Sequence, residues 1–241
     1  MSKTERSISG QKSRLAYTQP KRSGRYHYNP TVNQVIASDV RFYLFLKRFI
    51  DVIGSISGLV IGFPFFLIIA LLIKLESPKG AVIFKSLRVG KNEKQFYAYK
   101  FRSMVTDAEH LLVGLLDQNE VSGAMFKMKN DPRVTRIGKF IRRTSIDELP
   151  QLWNVLMGAM SLVGPRPPLP REVEEYTAYD KQRLLVTPGC TGLWQISGRS
   201  NIGFSEMVEL DLIYIQRQSI FIDIQIIVKT AGVIFGSKNA F

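Results

Sequence analysis

Two adjacent carboxylates, Asp147 and Glu148, follow a pair of arginines, Arg142 and Arg143, in the stretch FIRRTSIDELPQLWNVL. An arginine fork matches the oxygens of a phosphate group, and a carboxylate beside it can act as a nucleophile or as a metal ligand. An ionised aspartate can attack phosphorus when cations screen the charge repulsion. The spacing therefore predicts phosphate chemistry centred on the two carboxylates.

Further candidate cations stand where the backbone favours a binding role. Arg166 lies between Pro165 and Pro167, whose rings fix the backbone and preorganise the guanidinium fork. Arg199 follows a glycine in SGRS, where the backbone can approach a ligand closely. Lys100 ends a predicted strand in YKFRSM, a usual place for site residues. Because the sequence has no GxGxxG or Walker-type loop, phosphate binding would rest on these side chains.

A purely structural explanation of the acidic pair stays open at this point. Ser145 followed three residues later by Glu148 has the spacing of a capping box, in which both side chains stabilise the start of a helix. The two explanations are compatible, since a carboxylate at a helix N-terminus near arginines stays ionised at neutral pH. Single surface arginines are also most often merely solvated.

Composition excludes several classes of protein. The chain has 241 residues, 45% of them hydrophobic, which argues against overall disorder. Its net charge of +13 indicates an acidic partner such as anionic lipid, a nucleotide or nucleic acid. The one cysteine, Cys190, excludes an internal disulfide framework, and we expect it to be structural. With only His27 and His110, a hydrolase triad and a cysteine- or histidine-rich metal site are improbable.

The sequence predicts three regions. Residues 1–38 are polar, basic and aperiodic, typical of a flexible tail that is either simply solvated or held electrostatically by anionic lipid. Residues 39–78 contain the charge-free run Val52–Ile73, which at ~1.5 Å per residue is long enough to cross a bilayer core. Residues 79–241 form the remaining, cytoplasmic domain.

Two features of the apolar run argue against a simple crossing. Basic residues flank it on both sides, which favours both ends in the cytoplasm. Pro64 lies in its middle, and a proline kinks or breaks a helix because it removes a backbone donor. We expect a re-entrant helix broken at Pro64, with a kinked spanning helix as the alternative. Asp51 should then lie at the interface or pair with a basic group.

The fold class predicted is α+β, mostly α. Alternation around the Gly-Lys-Asn turn at 90–92 indicates a β-hairpin within 81–104. Helices are predicted at 106–116, 134–143, 149–157, 172–185, 205–216 and 220–235. The last of these is apolar but interrupted by polar residues, so we expect an interfacial amphipathic helix, with a buried core helix as the alternative. For Trp153, packing in the core is favoured over stacking on a nucleotide base.

Six motifs, taken in their order along the chain, resemble the bacterial sugar transferase family. They are KRFID, RVG, YKFRSM, DPRVTRIGKFIRRTSIDELPQLWNVLMGAMSLVGPRP, PGCTGLWQISGR and LDLIYI. These are monotopic phosphoglycosyl transferases, and the resemblance covers about residues 46–235. It implies a membrane enzyme of the bacterial inner membrane, on its cytoplasmic face. The enzyme would transfer a hexose-1-phosphate from a UDP-sugar to undecaprenyl phosphate, release UMP and start the synthesis of a surface glycan such as exopolysaccharide or capsule.

The resemblance also assigns roles to residues. Asp147 would be the nucleophile, forming a phosphosugar-aspartyl intermediate, and a ligand of Mg²⁺. Glu148 would position or deprotonate the lipid phosphate. Arg142 would hold the phosphosugar, while Lys100, Arg166 with its flanking prolines, and Arg199 match basic positions around the nucleotide. The family anchor is a re-entrant helix broken at the residue corresponding to Pro64.

The chain departs from the family pattern in two ways. Many members carry a serine before the break proline, where this sequence has Phe63, so the angle of the hairpin is open. Many also carry additional N-terminal transmembrane helices, and we expect this chain to be a minimal form with a basic tail. GLWQISGR is more similar to members that use a hexose than to those that use diamino sugars. A homodimer is compatible with the sequence, which gives no feature that establishes it.

Two rival functions belong to other classes. A membrane-tethered binding protein for nucleic acid or anionic lipid would explain the charge and the tail, although we expect no nucleic-acid partner. A non-catalytic partner in a glycan-assembly complex is disfavoured by the intact carboxylate pair and its arginines.

Overall fold

The computed structural model describes residues 40–120, 126, 128–198 and 202–236. The predicted tail and Arg199 lie outside the described residues. The helices are α1 Val40–Glu76, α2 Ala108–Leu112, α3 Arg136–Arg143, α4 Gln151–Leu156, α5 Pro170–Glu174, α6 Leu193–Ser197, α7 Phe204–Arg217 and α8 Ile220–Gly236. The strands are β1 Ile83–Val89, β2 Gln95–Phe101, β3 Ser161–Val163 and β4 Gly189–Thr191. The predicted mostly helical fold with a small sheet is confirmed.

Helix α1 is 37 residues long, and helical structure continues through Pro64. An 18-residue stretch within it has a mean hydropathy of 2.7, and the helix is long and apolar enough to cross a membrane. Most of its apolar side chains are exposed, among them Val60, Ile61, Phe63 and Phe65. A core helix of a soluble protein would be largely buried, so α1 has the surface of a membrane anchor. Its re-entrant course stays a prediction.

Both halves of α1 contact the same globular body. In the first half, buried Asp51 accepts a hydrogen bond of 3.0 Å from Ser161 Oγ at the start of β3. In the second half, Ile73 packs in a buried cluster with Phe101 at the end of β2 and Ile141 of α3. Hydrogen bonds from Ser161 and from the Leu162 amide thus offset the cost of burying Asp51.

The globular body approaches α1 closely at two glycines of the helix, Gly54 and Gly58. A Cβ at Gly54 would lie 2.7 Å from Leu162 of β3, and one at Gly58 would lie 2.7 Å from Leu152 of α4. A larger side chain at either position would require the facing leucine side chain to move.

A buried polar network joins the start of α1 to α8. Lys47 Nζ lies 2.8 Å from Asp223 Oδ2, which also accepts a hydrogen bond of 3.0 Å from the Tyr43 hydroxyl. Tyr214 of α7 donates to the other carboxylate oxygen at 2.8 Å. Each charge is therefore paired and hydrogen-bonded, the condition under which buried ions are tolerated.

The predicted hairpin is confirmed. Strands β1 and β2 are antiparallel, with Ile83 opposite Phe101 and Val89 opposite Gln95. The turn between them includes Asn92 at φ 54°, a left-handed conformation that asparagine tolerates better than most residues. A second, parallel pair joins β3 to β4.

The predicted helix at 172–185 is wrong. The structure has α5, Pro170–Glu174, and a separate 3-10 turn, Asp180–Leu185. Between them the Asp180 carboxylate accepts hydrogen bonds from both the amide and the hydroxyl of Thr177. Such local side-chain bonds compete with helical backbone pairing and interrupt the helix.

The helices predicted at 205–216 and 220–235 are confirmed as α7 and α8. In α8, Ile226 is buried against α7 and β3, while Phe221 and Val228 are exposed. One face of α8 therefore belongs to the core and the other presents apolar side chains outward. Helix α8 is therefore neither a wholly buried core helix nor a helix that lies wholly on the surface.

Candidate active site

The carboxylate pair lies in a short turn between α3 and α4. After α3 ends, Ser145 adopts a left-handed conformation at φ 56° and the 3-10 turn Ile146–Glu148 follows. The Ser145 carbonyl accepts from the Glu148 amide at 3.2 Å, but its side chain makes no cap hydrogen bond to the turn. The capping box is therefore wrong as an explanation of the pair. The left-handed backbone at Ser145 instead turns the chain between α3 and the 3-10 turn that carries the two carboxylates.

Helix α4 holds this turn rigidly against the hairpin and α1. The Asn154 side chain accepts from the Tyr99 amide at 3.0 Å and donates to the Tyr97 carbonyl at 2.7 Å. At the end of α4, Arg48 donates to the carbonyls of Val155 and Leu156 at 2.6 and 2.7 Å. These contacts satisfy terminal carbonyls that a helix leaves unpaired, and they fix the carboxylates relative to β2.

Lys100 and Glu148 form the closest contact of the site. Lys100 Nζ lies 2.5 Å from Glu148 Oε1. Burial acts to raise the pKa of Glu148, but the charge and hydrogen bond of Lys100 outweigh it and hold that pKa below its usual value. Glu148 is therefore ionised at neutral pH and joined to the strand end where the sequence placed Lys100.

Asp147 has the opposite electrostatic environment. Its side chain is buried, and burial together with the negative charge of Glu148 raises its pKa to about 6, against the opposing charges of Lys100 and Arg142. At neutral pH Asp147 is still mainly ionised. A buried carboxylate that is charged but poorly solvated is a stronger nucleophile than one exposed to water.

The two arginines of α3 have different positions. Arg142 is half-buried, donates to Ser103 Oγ at 2.8 Å from its Nε and acts electrostatically on Asp147. This leaves its Nη atoms as candidate donors to a phosphate. Arg143, the next residue on the helix, is exposed to solvent. The structure therefore brings Arg142 to the site but not Arg143.

Arg166 reaches the site from the Pro165–Pro167 segment. One of its Nη atoms donates to Glu172 Oε2 at 3.2 Å, and the buried Glu172 also accepts from the Leu169 amide at 2.8 Å. The positive charge of Arg166 lowers the pKa of Glu148, so the two residues are close enough to interact. Glu172 thus fixes the orientation of a guanidinium that faces the carboxylate pair.

Arg88 is a site cation that the sequence argument did not select. It donates to the Pro167 carbonyl at 3.1 Å, and burial and the nearby Arg166 lower its pKa to about 10. It also contributes to the lowered pKa of Glu148. The RVG motif begins with this residue, and its location near the end of a hairpin strand was the signal that could have identified it.

A fully buried ion pair supports the arginine segment from behind. Arg183 pairs with Asp211 of α7 and donates to the Tyr176 hydroxyl at 2.9 Å. The Arg183 Nη2 atom that pairs with Asp211 also donates to the carbonyl of Arg166 at 3.4 Å. The backbone at Arg166 is therefore held by a rigid, water-excluded layer, which is what a preorganised phosphate site needs.

Magnesium would have to be held by few protein ligands. Among the residues that the structure describes, no group of three or more His, Cys, Asp or Glu side chains could hold a metal ion. Mg²⁺, however, commonly binds through one or two carboxylates together with substrate phosphates. The ionised oxygens of the Asp147–Glu148 pair fit that pattern, with Asp147 as the ligand predicted from the sequence.

Other basic, aromatic and thiol side chains make contacts of their own. Arg102, two residues after Lys100 in YKFRSM, donates to the Ala81 carbonyl at 2.7 Å. Trp153 is about half exposed rather than packed in the core, so that prediction is wrong. Trp194 packs beside Ile202 and Met207. Burial raises the pKa of the Cys190 thiol, consistent with a structural cysteine.

A cavity of about 300 Å³ lies apart from the carboxylates, between the start of α1 and α7. Lys47 and Arg48 line it, but Lys47 is paired with Asp223 and Arg48 with carbonyls of α4. Asp51 is bonded to Ser161, and Lys91, which also lines the cavity, is exposed to solvent. The Asp147–Glu148 pair therefore stays the stronger candidate for the chemistry.

Comparison with known proteins identifies the family of the chain. Residues 42–237 match the bacterial sugar transferase family, a range that includes every site residue described above. The chain belongs to the bacterial sugar transferase family. It is 51% identical over 212 residues to the galactosyl transferase CpsE of Streptococcus agalactiae, covering 86% of this chain and 46% of that protein.

Two further members of the family extend the comparison. The undecaprenyl-phosphate galactose phosphotransferase of Salmonella typhimurium is 44% identical over 201 residues, covering 82% of this chain and 42% of that protein. The exopolysaccharide production protein ExoY of Rhizobium meliloti is 39% identical over 199 residues, covering 81% of this chain and 88% of that protein. The chain thus spans about half the length of the first two relatives and most of the third.

Proposed function

We propose that this protein transfers a hexose-1-phosphate from a UDP-sugar to undecaprenyl phosphate, releases UMP and starts the synthesis of an exopolysaccharide or capsule. The observation that carries the proposal is the buried Asp147 beside a Glu148 that Lys100 holds ionised, with Arg88, Arg142 and Arg166 around them. Such a site offers one nucleophile and several phosphate-binding cations. The names of the relatives support the same reaction class.

In the first step, a carboxylate oxygen of Asp147 attacks the phosphorus that bears the sugar. The bond from that phosphorus to the oxygen bridging the two phosphates breaks, and UMP leaves with the electron pair. The arginines stabilise the charge on the equatorial oxygens of the phosphoryl group. The product is a phosphosugar-aspartyl intermediate.

In the second step, a phosphate oxygen of the lipid acceptor attacks the same phosphorus and releases the Asp147 carboxylate. Glu148 positions the acceptor or removes its proton, and Lys100 fixes the orientation of Glu148 through their contact at 2.5 Å. Because UMP leaves and a covalent intermediate remains before the acceptor reacts, the kinetics should be ping-pong.

Mg²⁺ would be held by Asp147 and by the diphosphate of the donor, and it would neutralise negative charge on the phosphates. The protein's own cations orient the same phosphates. Loss of the ion should therefore weaken both the binding of the donor and its reaction.

The location proposed is the cytoplasmic face of the bacterial inner membrane. Helix α1 would enter and leave the same leaflet with its bend at Pro64, and the exposed apolar face of α8 would rest in the interface. Support comes from the basic flanks of α1 and from the contact of both its halves with one globular body. A lipid acceptor could then reach a site that faces a water-soluble donor.

The experiment that tests the proposal is UMP release by the purified protein with Mg²⁺ and undecaprenyl phosphate, across a panel of UDP-sugars. The relatives' names place UDP-galactose and UDP-glucose first in the panel. Release with one sugar supports the reaction and names the donor. No release with any sugar by folded, membrane-reconstituted protein would contradict the proposal and favour a non-catalytic partner.

A further inference from the structure

Helix α4 presents a line of exposed apolar side chains that starts beside the catalytic pair. Leu149 lies just before α4 and Met157 just after it, both with helical backbone dihedrals, and Trp153 lies within the helix. Because they are spaced four residues apart, the three side chains share one face. Their exposed fractions are 37%, 49% and 67%. Leu149 directly follows Glu148, so this apolar stripe begins where the carboxylates end.

The stripe cannot turn inward, because the other faces of α4 are occupied. Leu152 meets α1 at Gly58, and Asn154 is bonded to the backbone of β2. Arg48 fixes the far end of the helix through its bonds to the Val155 and Leu156 carbonyls. The three apolar side chains therefore form a rigid surface and do not belong to the core.

The stripe also approaches the apolar surface of α1. Its Met157 end lies near Arg48 of α1, and the neighbouring Phe45 and Phe49 of that helix are exposed. Exposed apolar side chains are therefore present from Leu149 to Met157 and again on α1 beside Arg48, where α4 and α1 meet. A polar nucleotide sugar gains nothing from such a surface.

Building on the proposed function, we propose that the stripe Leu149–Trp153–Met157 binds the first isoprene units of the acceptor's polyprenyl chain. The acceptor phosphate is covalently attached to its chain, so a phosphate among Lys100, Arg88 and Glu148 requires the chain to leave the site across neighbouring surface. The stripe begins at that point and is apolar along its length. The stripe therefore selects an acceptor with a long hydrocarbon chain, and it positions the acceptor phosphate relative to Glu148.

The kinetic test compares Trp153→Ala with Phe221→Ala, a control that removes an exposed aromatic side chain of α8. In nanodiscs, Trp153→Ala should raise the KM for undecaprenyl phosphate about tenfold, because it removes buried apolar contact with the chain. The KM for the UDP-sugar should stay unchanged, as should both constants in Phe221→Ala. An equal rise in both variants, or no rise in either, would overturn the proposal, since the stripe would then only contact bulk lipid or nothing.

A binding measurement separates failure of this inference from failure of the proposed function. With Trp194→Phe, Trp153 becomes the only tryptophan of the chain. Its emission should shift saturably with undecaprenyl phosphate and not with phosphatidylglycerol at equal charge. A saturable shift without UMP release from any UDP-sugar would support acceptor binding at the stripe and contradict the proposed reaction. UMP release without a selective shift would support the reaction and contradict acceptor binding at the stripe.

Discussion

Lys100 at the end of β2 and Glu148 before α4 are 48 residues apart in the chain, and their side chains meet at 2.5 Å. This contact makes the two adjacent carboxylates electrostatically different. The pKa of Glu148 is lowered, while burial raises that of Asp147 to about 6. Adjacent groups whose pKa values are driven apart are typical of sites in which each has its own role.

Replacing Lys100 should change the charge state of the whole site, because Lys100 lowers the pKa of both carboxylates. In Lys100→Gln, the pKa of both carboxylates should rise, and kcat should fall roughly 10²-fold, the usual cost of losing a positioned acid–base partner. Lys85→Gln is the control, since Lys85 is exposed on the neighbouring strand of the same hairpin. UMP release under saturating substrates checks the prediction. Activity of Lys100→Gln within twofold of wild type would show that Glu148 does not depend on Lys100.

The raised pKa of Asp147 predicts a pH dependence of the first half-reaction. Asp147 attacks only when ionised, and with a pKa of about 6 the ionised fraction falls ~tenfold between pH 7 and pH 5. Single-turnover UMP release without the acceptor should fall by the same factor. Binding of Mg²⁺ to the carboxylate favours its ionised form, so more Mg²⁺ should move the acidic limb to lower pH. A rate that is flat from pH 7 to pH 5 at low Mg²⁺ would be inconsistent with Asp147 as nucleophile.

Glu172 should act on the donor through Arg166. Glu172→Gln keeps an acceptor for the Leu169 amide but loses the charge that orients the guanidinium. We expect the KM for the UDP-sugar to rise roughly three- to tenfold with a small change in kcat, since a charge-assisted hydrogen bond is worth about 1.5–3 kcal/mol at most. Glu174→Gln, an exposed neighbour on α5, should change neither constant. If Glu172→Gln has wild-type kinetics and Glu172→Ala only lowers stability, then Glu172 stabilises the start of α5 and does not act on the donor.

The re-entrant course of α1 predicts that both of its ends are on one side of the membrane. Single cysteines at Arg41 and Lys79, in a Cys190→Ser background, report on the two ends. Both should react with an impermeant maleimide in inverted vesicles and neither in right-side-out spheroplasts. Reaction of one cysteine on each side would establish a spanning helix, and the body that contacts both halves of α1 would then have to rearrange.

Local patterns predicted those parts of the fold that local interactions determine. The hairpin followed from alternation around a Gly-Lys-Asn turn, and α7 from its apolar face. The helix at 172–185 failed because the bonds of Asp180 to Thr177 interrupt a polar pattern that helical spacing alone does not distinguish. The prediction that Trp153 packs in the core failed for another reason. Helical spacing shows that a helix face is apolar, but it does not show whether that face packs in the core or is exposed.

The candidate site residues selected from the sequence are mostly those that lie close together in the chain, and their roles stay predictions. Asp147, Glu148 and Arg142 are within one short segment, and the rigid Pro165–Pro167 segment identified Arg166. Arg88 was missed because its role depends on contacts across the fold, such as its bond to the Pro167 carbonyl, which lies 79 residues away in the chain. Arg199 stays a prediction.

The central claim is a covalent bond between Asp147 and the phosphosugar. Its most direct test is intact-protein mass spectrometry after incubation with the reactive UDP-sugar and Mg²⁺ and without acceptor. We predict an added mass of one hexose phosphate, lost on addition of undecaprenyl phosphate and absent in Asp147→Asn. A wild-type protein that turns over both substrates but never gains this mass, together with an active Asp147→Asn variant, would contradict the account and indicate direct transfer from donor to acceptor.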